Sequence, residues 1–108
     1  MALNKPEIGT IMTVSTAHLT PNTLKRLETA DMYDSTFANI ACYPKILDGE
    51  NIGWFIYPCI PSSQIHEDIP EDLKAILDLA EFCNASVICL DSDGPIVDRF
   101  LGLKAYPH

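Results

Sequence analysis

Val87-Ile-Cys-Leu-Asp91-Ser-Asp93-Gly94-Pro-Ile-Val-Asp98-Arg-Phe100 is the stretch whose reading decides the fold. Val87 to Leu90 is a short apolar run with two β-branched members, left through Asp91-Ser92-Asp93-Gly94-Pro95. It reads as a strand leaving the core. In the turn that follows, Asp93 can bond its own backbone and Gly94 can supply a positive φ. Ile96 and Val97 restart an extended run, so Val87–Leu90 and Ile96–Leu103 are expected to pair as a hairpin.

Upstream, Pro70-Glu-Asp-Leu73 opens a helix, with Pro70 at the first helical position and two carboxylates against the positive helix end. Leu73, Ile76, Leu77, Ala80 and Cys83 follow the spacing of one buried face, and Asn84 stops the helix before a strand at Ala85–Leu90. Pro58 to Ile69 is a loop containing His66. Ile52 to Tyr57 is a strand that is apolar on both sides, with Trp54 and Ile56 on one and Phe55 and Tyr57 on the other. Such a strand is expected at the centre of a sheet. Asp48-Gly49-Glu50-Asn51 is a hairpin loop, and Phe37–Leu47 is the strand before it, interrupted by Pro44, which cannot donate to a ladder. At the front, Ile8–Ser15 reads as a strand, and Thr20-Pro21 as the cap and first residue of a helix. Leu24, Leu27, Ala30 and Tyr33 lie along the inner side of that helix, which ends near Asp34-Ser35.

The order β-α-β-β-α-β-β predicts an α+β fold, residues 1–108 as one domain, with two helices over a mostly antiparallel sheet of four or five strands. Its first six elements match the ferredoxin-like order.

The 47% apolar content suits a folded domain. The N-terminus has no signal-peptide core and no run is long enough to cross a bilayer, so the expected location is the cytoplasm. Cys42, Cys59, Cys83 and Cys89 lack C-x-x-C spacing and are expected to be buried free thiols. The formal charge of −8 is concentrated: residues 66–98 hold nine acids and one base, Lys74, while the rest of the chain has six of each. That field disfavours direct nucleic-acid binding and membrane surfaces, and it suits a basic partner.

Two groups of residues could carry chemistry. Ser15, Thr16 and His18 sit where a strand meets a helix start, which is where anions bind, and a Ser–His pair could act as nucleophile and base with Asp91 or Asp93 as orienter. The apolar run before Asp-x-Asp-Gly also resembles the nucleophile strand of aspartate-dependent phosphatases. That chemistry needs a large domain after the strand, and only fourteen residues follow Gly94. A calcium loop starting at Asp91 would end on Gly102 instead of a glutamate. His18, His66 and the Asp91/Asp93 pair could surround a metal, but their spacing matches no metal motif, and no cofactor is expected. Trp54 is a candidate anchor for a protein partner if exposed.

Ser15-Thr-Ala-His-Leu-Thr20, Gly53-Trp-Phe-Ile-Tyr57-Pro, Pro70-Glu-Asp-Leu73 and Leu90-Asp-Ser-Asp-Gly94-Pro together resemble a small bacterial family of unknown function carried on plasmids, prophages and integrative elements. The likeness spans roughly residues 10–106; the tail, Leu103-Lys-Ala-Tyr106-Pro-His, departs from the family's ending. The resemblance implies no reaction and suggests an accessory role for a mobile element.

The expectation is therefore a non-enzymatic acidic accessory protein that binds another protein, with inhibition of a host defence or nucleic-acid-handling factor as its specific form. In that form Glu67, Asp68, Glu71, Asp78 and Glu81 mimic phosphates towards a basic nucleic-acid-binding protein. The alternatives are a small metal-dependent or Ser/His hydrolase using His18 and Asp91/Asp93, and a homodimer that covers the aromatic strand.

Overall fold

The computed structural model describes residues 9–29, 40–58, 61, 64–65, 67–97 and 104–106. Among them the elements run β1 (Ile11–Ser15), a 3-10 turn (Thr16–His18), α1 (Pro21–Thr29), β2 (Ile40–Leu47), β3 (Glu50–Pro58), α2 (Glu71–Phe82) and β4 (Val87–Asp91). Ile8, Ala30, Tyr33, Asp34, Ser35, the first three residues of the expected strand at Phe37, Cys59, His66 and the stretch 98–103 lie outside the described residues.

The architecture is α+β, as expected, with a mixed four-stranded sheet in the order β1-β4-β3-β2. β1 and β4 are parallel, while β4–β3 and β3–β2 are antiparallel. This strand order does not support a ferredoxin-like fold, because β4 sits between β1 and β3, where the split βαβ unit would place β1 beside β3. The composition of β4 explains its position. Ile88 and Leu90 are fully buried on the helix side, and Cys89 is 4% exposed on the opposite side, so the strand needs cover on both faces. With β1 on one edge of β4 and β3 on the other, no edge remains for the expected hairpin with Ile96–Leu103. Ile96 and Val97 accordingly lie outside any ladder.

One face of the sheet carries both helices. Val14, Trp54, Ile56, Ile88 and Leu90 pack with Leu27 of α1 and with Leu73, Ile76, Leu77 and Ala80 of α2 in a single core. The opposite face presents Ile11, Tyr43, Phe55 and Tyr57. Tyr43 and Tyr57 meet edge-on across β2 and β3, with ring centroids 5.7 Å apart. Pro44 is tolerated because β2 is an edge strand.

The connections are locally encoded. The β2–β3 turn is tighter than the four-residue loop expected. Leu47 pairs with Glu50, and Asp48 and Gly49 both have positive φ (51° and 79°), as a two-residue hairpin turn requires. Helix α2 begins at Glu71, one residue later than expected, with Pro70 as a cap that has no side-chain acceptor; Asp72 Oδ1 takes the Leu73 N–H instead. At its other end Asn84 adopts φ 57°, Ala85 N–H donates to Ala80 O (2.8 Å) and Asn84 N–H to Glu81 O (3.0 Å). That is the paired closure of a Schellman motif, so Asn84 stops the helix as expected. Cys83 falls at the C-cap and is exposed, contrary to the buried position its spacing suggested.

Gly53 shows how tightly β3 and β4 approach. A Cβ there would lie 1.7 Å from the Leu90 carbonyl oxygen, and the obstacle is backbone, which cannot swing aside. The strand is also bulged at this point: Lys45 pairs with Gly53 but Ile46 with Asn51, while on the β4 edge the Ile52 carbonyl accepts from Ser92 N–H at 2.9 Å. Gly53→Ala should therefore lower unfolding stability by about 3 kcal/mol. Gly49→Ala, at positive φ in open space, should cost only about 1 kcal/mol. Urea titration of the two variants checks both values; equal losses would refute the steric account of Gly53.

Candidate functional site

The parallel pairing of β1 and β4 brings the two candidate groups to the same end of the sheet. Ser15 and Asp91 are register partners at the C-terminal ends of these strands. Ligands commonly bind just beyond such ends. A cleft of about 150 Å³ opens here, lined in part by Thr16, Leu24, Glu28, Asn51, Trp54 and Ser92. Trp54 is nevertheless a core residue, 7% exposed on the helix side, and the exposed aromatic residues among those described are Tyr43, Tyr57 and Phe82.

Ser15, His18 and Asp91 at this end are engaged by the backbone or by other side chains. Ser15 is 4% exposed, and its Oγ accepts from Ala17 N–H at 3.0 Å, capping the 3-10 turn. Its own N–H donates to Pro95 O at 2.8 Å. That contact is possible because the loop after β4 lies directly on β1. A Cβ on Gly94 would come within 2.7 Å of Val14 O. The glycine is needed for this approach; its φ is not in the left-handed region, contrary to expectation.

His18 is 1% exposed and spans two segments distant in sequence. Val97 N–H donates to Nε2 at 2.8 Å, so Nε2 carries no proton; Nδ1–H then donates to Lys104 O, also at 2.8 Å. Tyr106 N–H donates to Ala17 O alongside at 2.7 Å. The imidazole is thus a neutral strut holding residues 95–97 and 104–106 against the 3-10 turn, with neither ring nitrogen directed at Ser15.

Asp91 faces the other way, onto the open side of the sheet. Lys45, Gly53, Asp91 and Ser15 form one row across the four strands. With no side chain at Gly53, Lys45 reaches across β3 and donates to Asp91 Oδ2 at 2.5 Å. The ammonium also lies 3.6 Å from Cys89 Sγ and 5.6 Å from the centre of the Phe55 ring. Asp91 Oδ1 accepts from Asp93 N–H at 2.8 Å, closing the turn. The Lys45 ammonium first, and the Asp93 N–H second, hold the Asp91 carboxyl below its ordinary pKa, and the same contact raises that of Lys45. Asp93 itself is exposed. His66 lies outside the described residues, and among those residues no three His, Cys, Asp or Glu side chains are grouped to hold a metal.

Sequence reasoning missed Asp72. Its carboxylate accepts from Thr20 N–H (2.8 Å), Thr20 Oγ1 (3.1 Å), Thr23 Oγ1 (2.8 Å) and Leu73 N–H (3.0 Å), joining the starts of both helices. In a capping box the third helical residue reaches back to the N-cap N–H; here that residue is Thr23, and an acid from another helix takes the role. The Thr-Pro-x-Thr spelling hinted at a cap seeking a partner, but no local pattern could say which acid supplied it.

The remaining acids stand along the outer side of α2 and the turn before it. Glu67, Asp68, Glu71 and Glu81 are exposed, while the half-buried Asp78 pairs with Lys74 at 3.3 Å. Of the cysteines, Cys89 is buried, Cys42 is half-buried with its thiol pushed up to about 11 by burial, and Cys83 is exposed. None of these three is in a disulfide.

The fold and this site define a two-layer α+β domain whose one histidine among the described residues is structural. Residues 11–104 match the family described as "Family of unknown function (DUF5983) C-terminal domain", and the chain belongs to that family. Neither the curated proteins nor the solved structures contain a match. No helix among the described residues is long and apolar enough to cross a membrane.

Two outcomes test the site. His18→Ala removes a buried ring and leaves the Val97 N–H and Lys104 C=O unpaired, so urea titration should show a loss of about 2–4 kcal/mol; an unchanged midpoint would refute the strut. Asp91 has a depressed folded pKa, so its contribution is full above the unfolded value of about 3.9 and is lost as pH falls through the folded value. Asp91→Asn should therefore be less stable than the parent at neutral pH, with the gap closing as pH falls below the unfolded value. A gap independent of pH would rule out the ion pair as its source.

Proposed function

We propose that this domain is a non-enzymatic accessory module that binds a basic protein through the acidic outer side of α2 and the turn before it. The observation that carries the reading is the placement of Glu67, Asp68, Glu71, Asp78 and Glu81 on one element and its approach, with Lys74 the single base in residues 66–98. Asp72 and Asp91, from the same acidic stretch, are consumed by internal contacts. The exposed side of α2 and the turn before it has a net negative charge suited to steering a basic partner into contact.

Spaced carboxylates on a helix offer such a partner the kind of negative charge that phosphates offer it elsewhere. The resemblance to proteins of plasmids, prophages and integrative elements supports a cytoplasmic setting in which the partner is a host defence or nucleic-acid-handling factor. The hydrolase alternative has less support, because His18 has both ring nitrogens engaged and Asp91 is held by Lys45.

A pull-down from nuclease-treated bacterial lysate tests the reading, comparing the parent with a variant carrying Glu67→Gln, Asp68→Asn, Glu71→Gln, Asp78→Asn and Glu81→Gln. The parent should capture a basic protein that high salt releases, and the neutralised protein, folded by circular dichroism, should capture about tenfold less. Equal capture by both proteins would sink the proposal.

A further inference from the structure

We propose that the cleft beyond the C-terminal ends of β1 and β4 receives an α-ammonium group together with the carbonyl that follows it, the chemistry of a peptide N-terminus or an amino-acid amide. The site shares no residue with the acidic side of α2 and does not rest on the acidic-surface reading. α1, the 3-10 turn, the start of β3 and the turn after β4 supply walls around about 150 Å³. That is below the roughly 300–1,000 Å³ of small-molecule sites, and suits one amino-acid residue.

Unlike Ser15, His18 and Asp91, the polar side chains lining this cleft are not consumed by the fold. Trp54 is 7% exposed, yet its indole N–H has no acceptor among the described residues. No buried side-chain polar atom there is unpaired, so this N–H opens outwards, and the cleft is where the residue meets open space. Asn51 spends its Oδ1 on the Gly53 N–H and keeps both Nδ2 hydrogens. Thr16 and Ser92 add hydroxyls that make no hydrogen bond among the described residues. Glu28, in the last turn of α1, is exposed and has neither an ion pair nor a hydrogen bond there.

These groups select their ligand. A carboxylate only accepts, and no Lys or Arg among the described residues lines the cleft beside Glu28, so the ligand must bring a cationic donor. The indole N–H and the Asn51 Nδ2 only donate, so the same ligand must also bring an oxygen acceptor. A bare ammonium or metal ion would leave those donors unmet, and a carboxylate would set its charge against Glu28. An α-ammonium beside an amide carbonyl supplies both needs, with the Thr16 and Ser92 hydroxyls able to serve either. Leu24 and the Trp54 ring then receive a small apolar side chain.

Trp54 is the single tryptophan, so its indole N–H gives one resonance that reports on the cleft. At about pH 6, below the α-amino pKa of about 8, titrating the full chain with the tripeptide Leu-Gly-Gly should shift that resonance saturably. Leucinamide should do the same, and N-acetylated Leu-Gly-Gly should not. Affinity should fall about tenfold in Glu28→Gln, an exposed position, through loss of one hydrogen bond to a charged group. Amide spectra of the free variants that match the parent outside the cleft establish that each is folded. Tighter binding of the tripeptide than of leucinamide would support the site with a peptide as the source, and equal binding would support it with a free amide. An indole resonance that does not move, or equal binding by the acetylated peptide or to Glu28→Gln, would overturn it. The variant neutralised at Glu67, Asp68, Glu71, Asp78 and Glu81 should bind like the parent. Loss of binding in that variant alone would overturn the cleft and leave the acidic surface standing.

Discussion

A β-strand has two hydrogen-bonding edges and two faces, and β4 has all four occupied. β1 and β3 take its edges, the helices cover Ile88 and Leu90, and on the other side Lys45 lies against Cys89 and Asp91. The rest of the arrangement depends on this. The close approach of β4 to β3 requires glycine at position 53, and that glycine leaves the lane through which Lys45 reaches Asp91. Parallel pairing with β1 sets Ser15 beside Asp91 and directs the chain after Gly94 back across the end of β1.

The polar side chains at that end are used to join segments that the backbone ladders do not reach. His18 links the 3-10 turn to residues 97 and 104, and Asp72 links the starts of α1 and α2. A carboxylate with four donors, or an imidazole with one donor and one acceptor, is satisfied in the fold and directed inwards. Among the described residues no buried side-chain polar atom is left without a partner. Glu67, Asp68, Glu71 and Glu81, on the outer side of α2 and the turn before it, are exposed, and Asp78 beside them pairs with Lys74.

Much of this was legible in order along the chain. Asn84, Asp48-Gly49 and Thr20-Pro21 marked their turns and caps correctly, because a positive φ or a cap is a requirement of one or two residues and is met locally. The two faces of β3 were legible for a similar reason: alternation along a strand assigns Trp54 and Ile56 to one side whatever lies beside it. Cys83 misled, since helical spacing says nothing about where the neighbouring layer ends. Gly94 was assigned the right importance for the wrong cause: the requirement is proximity to Val14, eighty residues away in the chain, and not its own φ.

The amino-acid sequence by itself determined the first six elements, most of their faces, the class of fold and the concentration of negative charge in residues 66–98. These depend on periodicity, local backbone preference and composition, all of which act over a few residues. Tertiary structure alone decided that β4 enters between β1 and β3, that His18 is a strut, that Asp72 caps a helix other than its own, and that Lys45 finds Asp91. Each of these couples residues 32 to 86 positions apart, and partner choice at that range is set by which apolar surfaces must be buried together.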